Sequence, residues 1–362
     1  MRPPKRLARS VTSAIRSVAV AGAVVVTILT AVVSGQTSVR DVLVIAPEHP
    51  AIEYWTRVPD NPVSWLATRL ERGEAGLAFR NDGSGYLLSL LRQLDINPDS
   101  LTEQGSRGVY FSDDVAISRA DTGAFEIIAT DPWLGAAFYT VAAGLVGPAG
   151  PPLLARPREC AECHHAAETL GVPGLLAGVA SPTAIQVPDP VALLTWRHQA
   201  HVINLLTRLA WESQVTRHSG VIGYSLAERM KTRVDEVVAY MLFVNNASLE
   251  ASLDTPVEAQ STFVQSFPRR GPHDRDGRSL RDFDLETRLF RYPLSYMIYS
   301  RAFDAIEPVV REFLLRRLFD VLSGGDPRPM YAGLSFVDRQ AILTILRDTK
   351  PNLPTYWRER RP

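Results

Sequence analysis

The stretch Cys160-Ala161-Glu162-Cys163-His164 has the form CxxCH, and it constrains the chain more than any other segment. Two thiols three residues apart suit the spacing of the two vinyl arms of a porphyrin, and the imidazole that follows falls beneath the ring plane as a ligand of the iron. The pattern predicts one covalently attached haem c, with Cys160 and Cys163 as anchors and His164 as proximal ligand. The chain has 2 cysteines, and both lie here.

Three other readings use the same residues. A thiol-redox pair of the thioredoxin type wants a βαβ setting, whereas the sequence around Ala155 to Ala167 is Pro-bounded and polar. A zinc site can be drawn from Cys160, Cys163, His198 and His201, but the gap between the pairs is far longer than in a finger, and the histidines stand one residue too close for that template. A plain structural disulfide is the third.

The amino terminus speaks to compartment. Arg2, Lys5, Arg6, Arg9 and Arg16 are followed by Ser17 to Ser34, an apolar run, and Val33-Ser34-Gly35 offers small residues for cleavage. Residues 1–35 therefore read as a signal peptide or, if residues 17–34 are retained, as a membrane anchor. Export agrees with the CxxCH reading, because bacterial haem c is attached outside the cytoplasmic membrane; the expected location is periplasmic, or membrane-anchored facing the periplasm. Of 39 basic groups, 5 lie in this leader, so 34 remain against 39 acidic ones, a net charge of −5. A mildly acidic body argues against nucleic acid and leaves a redox protein as the expected partner.

With 362 residues and 46% hydrophobic composition the chain can bury a large core and hold two domains. Amphipathic spacing predicts short helices in Asn61–Phe79 and Gly85–Ile96. Residues 108–141 are β-rich pieces broken by Asp113-Asp114, Asp121-Thr122-Gly123 and Asp131-Pro132, which predicts a small antiparallel sheet. Asp113-Asp114 reads as a solvated turn in preference to a metal pair. The breaker-rich segment 144–157 reads as a linker between an N-terminal α/β region, 36–143, and a helical haem domain, 158–362. The expected fold is α+β, predominantly helical around the haem site, with a small antiparallel β region ahead of it.

Asp189-Pro190 opens a helix expected to run to about Thr216. Leu194, His198, His201, Leu205 and Leu209 share one stripe of it, so His198, or His201, is the candidate sixth ligand. Met230 and Met241, in a helix expected to open with a capping box at Ser225–Glu228, are alternative ligands that read first as core filler. Met297, Met330 and His273 are weaker candidates, and His165 points away from the axial position. The turn Gly171-Val172-Pro173-Gly174 is placed to offer a Pro carbonyl to the Nδ1 hydrogen of His164. From Ser248 to Asp284 the chain reads as a long polar loop, whose Arg and Asp residues at 269–276 fit a salt-bridge network better than propionate binding. Helices are expected at Pro293–Asp304, Pro308–Leu322 and Ser335–Arg347.

With these pieces placed, the chain resembles a family of exported bacterial cytochrome c domain-containing proteins of uncharacterised role. The resemblance covers roughly residues 85–357. It is carried by Val109-Tyr110-Phe111-Ser112-Asp113-Asp114, Asp131-Pro132 through Phe138-Tyr139-Thr140, CxxCH followed by Thr169-Leu170-Gly171-Val172-Pro173-Gly174, His198-Gln199 leading to Asn204-Leu205-Leu206-Thr207-Arg208, Arg291-Tyr292-Pro293, and Leu346-Arg347-Asp348-Thr349-Lys350-Pro351. Relatives often carry a further His where this chain has Ile203. The resemblance implies a single covalent haem and no substrate. The expected function is electron transfer. Its alternatives are a haem enzyme or gas sensor, peroxidase-like, with an open distal site, and a zinc or thiol-redox protein without haem.

Overall fold

The computed structural model describes residues 44–82, 84–104, 107–141, 153–155, 157–176, 189–244 and 261–358. The leader, 1–35, lies outside them. Among the described residues are ten α-helices and a six-stranded sheet, a mixed α+β architecture rich in helix.

The first helix, α1 (Pro62–Glu71), starts where Asn61 supplies a cap: its Oδ1 accepts from the Val63 and Ser64 amides, and Ser64 Oγ accepts from the Asn61 amide. α2 (Leu87–Gln93) follows. The sheet is a meander of β1 (Thr102–Gln104), β2 (Arg107–Phe111), β3 (Val115–Arg119), β4 (Phe125–Asp131), β5 (Gly135–Val141) and β6 (Leu153–Ala155). Its strand order equals the chain order, and every pair is antiparallel. Register places Ile117 against Ile127, and Ile127 against Tyr139, so each strand's alternation matches its neighbour's.

Both faces of the sheet are covered. Ile117, Ile127, Tyr139 and Val141 pack with Val63, Leu66, Leu90 and Leu94 of the α1–α2 segment. Val109, Phe111, Ala116, Ala136 and Phe138 point the other way, into a larger core shared with the helices. Segment 144–157 differs from the linker expected: β6 falls in it and pairs with β5, while 144–152 and 156 lie outside the described residues. Residues 43–362 make one compact unit, so the chain passes from a sheet edge directly into the CxxCH helix.

That helix is α3 (Arg158–His164), and α4 (Pro190–His218) is the long central one. Asp189 caps α4, its Oδ1 accepting from the Val191 and Ala192 amides at 2.9 and 3.0 Å. α5 (Gly223–Arg229) and α6 (Lys231–Met241) meet at Met230. The capping box expected at Ser225–Glu228 is not formed. The helix begins three residues earlier, capped at Ile222 without a side-chain hydrogen bond, and Ser225 lies inside its first turn. The polar stretch 248–284 is not all loop either. α7 (Thr262–Arg269), capped by Ser261 Oγ, buries Phe263 and Phe267.

The expected helix Pro293–Asp304 is reduced to a 3-10 turn and one short helix, α8 (Arg301–Asp304), because the Ser295 and Ser300 side chains each cap a new start. α9 (Pro308–Leu322) and α10 (Phe336–Thr349) lie where periodicity places them, and α9 packs on α5, α6 and α10 as the C-terminal cover.

Candidate functional site

α3 is short, and its last residue is His164. The imidazole is set by the turn that follows: His164 Nδ1 lies 3.1 Å from the Gly174 carbonyl oxygen, and the Gly174 amide donates to the His164 carbonyl at 2.9 Å. The sequence pointed to a Pro carbonyl for this role, one residue early. Pro173 O is engaged by the Ala136 amide of β5 at 3.0 Å, which leaves Gly174 to hold the imidazole.

Two buried side chains hold the turn, and the sequence names both only among the residues that carry the resemblance, with no role for either. Asn204 on α4 accepts from the Leu175 amide at 2.8 Å and donates to the Leu175 carbonyl at 2.9 Å. Thr169 Oγ1 donates to Val172 O at 2.8 Å. The fit requires glycine at 174, where a Cβ would stand 2.4 Å from Asn204 Oδ1. An Asn inside the apolar run Val202-Ile203-Asn204-Leu205-Leu206 was the signal available.

Cys160, Cys163 and His164 line one cavity of about 400 Å³, within the range of small-molecule and cofactor sites. Its apolar wall is Val109, Ala116, Ile128, Phe138 and Trp196, and its polar part is Arg107, Glu126 and Glu159. The Phe138 ring packs against the His164 imidazole, with centroids 4.8 Å apart. Arg107 pairs with Glu126 at 2.8 Å. Burial pushes the His164 pKa down against the opposing pull of the Gly174 hydrogen bond, so the ring is neutral at pH 7, the form a metal ligand needs.

The residues present suit a haem c: two thiols, a neutral imidazole with Nδ1 already engaged, an apolar wall, and one guanidinium among the polar lining. The Trp196 indole nitrogen is buried with no hydrogen-bond partner among the described residues, an unmet donor on a residue of the same lining. Both cysteines are free, Cys160 half-buried and Cys163 exposed. Burial, with help from Glu126 and Glu159, pushes the Cys160 thiol up. A thiol-redox pair needs the opposite, a stabilised thiolate.

The candidate sixth ligands lie elsewhere. His198 is fully buried, with Nε2 2.8 Å from Ser295 Oγ and its ring stacked on Phe243 at 4.4 Å and on Tyr240 at 5.5 Å. Burial drives its pKa down to about 3, and neighbouring His201 adds to the effect. His201 packs on Tyr240 at 4.3 Å. Neither lines the cavity with His164. His198 and His201, the expected sixth-ligand candidates, thus stand outside the lining that holds Cys160, Cys163 and His164. α4 is buried on nearly every side from Val191 to Trp211, so a histidine in its apolar stripe has several interiors to face. Trp196 takes the cavity side, and His198 meets the segment around Ser295.

The zinc set of Cys160, Cys163, His198 and His201 is likewise not assembled, and the described residues hold no group of three or more His, Cys, Asp or Glu that could cage a metal ion. His165 Nε2 lies 3.1 Å from Gly171 O, and His273 is exposed. Met230, Met241 and Met297 are buried core residues, whereas Met330 is exposed.

The Arg and Asp residues at 269–276 form ion pairs, among them Arg270–Asp95 and Arg278–Asp274. Asp113 pairs with Arg281, so Asp113-Asp114 is neither a metal pair nor a simply solvated turn. No helix among the described residues is long and apolar enough to cross a membrane. No family model, curated protein or solved structure matches this chain.

Proposed function

We propose that this chain is an exported mono-haem cytochrome of the c type that carries electrons. Cys160 and Cys163 anchor the porphyrin and His164 ligates the iron. The observation that carries the reading is the joint one at α3: two free thiols and an imidazole oriented through Nδ1 by Gly174 O, all lining one apolar cavity. The haem, once attached, supplies one-electron chemistry. The protein's own part is to orient His164, to keep water away with Phe138, Ile128 and Trp196, and to offer Arg107 to a propionate.

One observation favours a second reading, a haem enzyme or gas sensor with an open sixth position. Of the residues lining the cavity, none besides His164 is a histidine or a methionine. Expression in cells able to mature cytochromes c tests the main reading. Colour retained in the pellet after acid acetone, and lost in Cys160→Ala/Cys163→Ala, is the expected result; a colourless wild-type pellet sinks it. Carbon monoxide added to the reduced protein separates the two readings: an unchanged Soret band fits an electron carrier, and a shifted band an open site.

A further inference from the structure

A second cavity, of about 360 Å³, lies among α1, α7 and the β2–β3 turn. We infer that it binds a free α-amino acid with an apolar side chain, whose ammonium meets Asp114, whose carboxylate meets Arg69, and whose side chain lies against Leu66, Phe111 and Phe263.

The argument is one of leftover charge. Six ionisable groups line the cavity: Asp95, Asp113, Asp114, Arg69, Arg270 and Arg281. Four are committed to each other. Arg270 pairs with Asp95 at 2.8 Å, and Arg281 pairs with Asp113. Arg281 is buried and fixed, its guanidinium over the Phe267 and Tyr296 rings at 4.7 and 4.6 Å. Gly271 packs so closely on it that a Cβ there would stand 2.6 Å from Arg281 Cδ. The turn is held as firmly, since Gln199 donates to Ser112 O at 2.6 Å and accepts from the Tyr296 hydroxyl at 2.7 Å.

One acid and one base remain. Asp114 Oδ1 is buried without a hydrogen-bond partner among the described residues. Burial, with Asp113 beside it, pushes this carboxyl up to about 6 against the pull of the Arg301 and Arg281 charges, neither of which gives it a hydrogen bond. Arg69 reaches only the neutral Gln93 amide, at 3.3 Å, and has no acidic partner among the described residues. An anion alone would answer Arg69 and meet Asp114, and a cation alone would do the reverse. A ligand with both charges and an apolar body answers the two groups and the wall together.

The inference does not rest on the haem reading. Titration calorimetry of the full chain at neutral pH, with L-phenylalanine and L-leucine as probes, tests it. At least one is expected to bind with a Kd of about 1 mM or below. 2-Phenylethylamine and 3-phenylpropionate, which keep one charge each, should each bind about tenfold more weakly or worse, as should the amino acid to Asp114→Asn and to Arg69→Gln. Arg69 is exposed, so Arg69→Gln tests the site even if Asp114→Asn fails to fold. The Cys160→Ala/Cys163→Ala protein should bind as the wild type does. Absence of binding by both amino acids, equal binding of a single-charge analogue, or unchanged affinity in Arg69→Gln overturns the proposal.

Discussion

Replacing His198 by Gln separates a histidine held neutral in the core from one that has a charged or ligating role. Gln keeps a polar group where Nε2 meets Ser295 Oγ and removes the titration. In the folded protein burial drives the His198 pKa from 6.5 down to about 3. The folded pKa lies below the unfolded one, so the unfolded chain binds the extra proton first. The stability from keeping this ring neutral is present above pH 6.5 and is lost as pH falls from there towards 3. A tenfold change in proton activity inside that window is worth a little over 1 kcal/mol, so acidification from pH 7 to 4.5 removes about 2–3 kcal/mol from the wild type. His164, His165 and His201, whose pKa values are also lowered by burial, are common to both proteins and largely cancel in the difference. Urea unfolding of both proteins at pH 7 and 4.5 gives the quantity directly. The wild-type advantage over His198→Gln should shrink by about 2–3 kcal/mol between the two. A difference that stays constant across this interval would refute the reasoning, because it would mean that His198 is not a buried neutral group.

Other perturbations act on the frame around His164. Asn204→Leu leaves the Leu175 amide and carbonyl without partners; two buried groups at roughly 1–3 kcal/mol each should lower unfolding free energy by about 2–5 kcal/mol in urea. Gly135→Ala meets a φ of +79° and a Cβ 2.8 Å from Pro173 O, so a loss of about 2–4 kcal/mol is expected in the same assay. Asp189→Ala removes the cap of α4 and the partner of Ser261 Oγ, which should cost about 1–2 kcal/mol and lower helical circular dichroism on mild heating.

Much of the fold was legible because its signals are local. Asp189-Pro190 announces a cap and a first turn, and the helix begins there. The Asp121-Thr122-Gly123 break sits between two strands, with Gly123 at φ +82°. The failures come where a local signal competes with a tertiary one. Ser225–Glu228 has the letters of a capping box, yet the helix that buries Leu226 and Ala227 starts three residues earlier. Strand β6 was read as breaker-rich linker, because a three-residue edge strand takes its stability from the partner strand and carries no period of its own.

The site divides along the same line. Cys160, Cys163 and His164 are adjacent in sequence, so one helical turn and one carbonyl from the next loop suffice to gather them. A sixth ligand would have to come from a distant element, and there periodicity says only that a side chain is inside. The His198 stripe was read correctly as buried, but α4 has the sheet on one side and α6 with the Ser295 segment on another. Three residues of helix rotation, from Trp196 to Gln199, are enough to go from the cavity wall, through a fully buried histidine held by Ser295, to the β2–β3 turn. On the proposed haem reading, that rotation would decide the coordination number, and with it the choice between carrying electrons and binding a gas or peroxide.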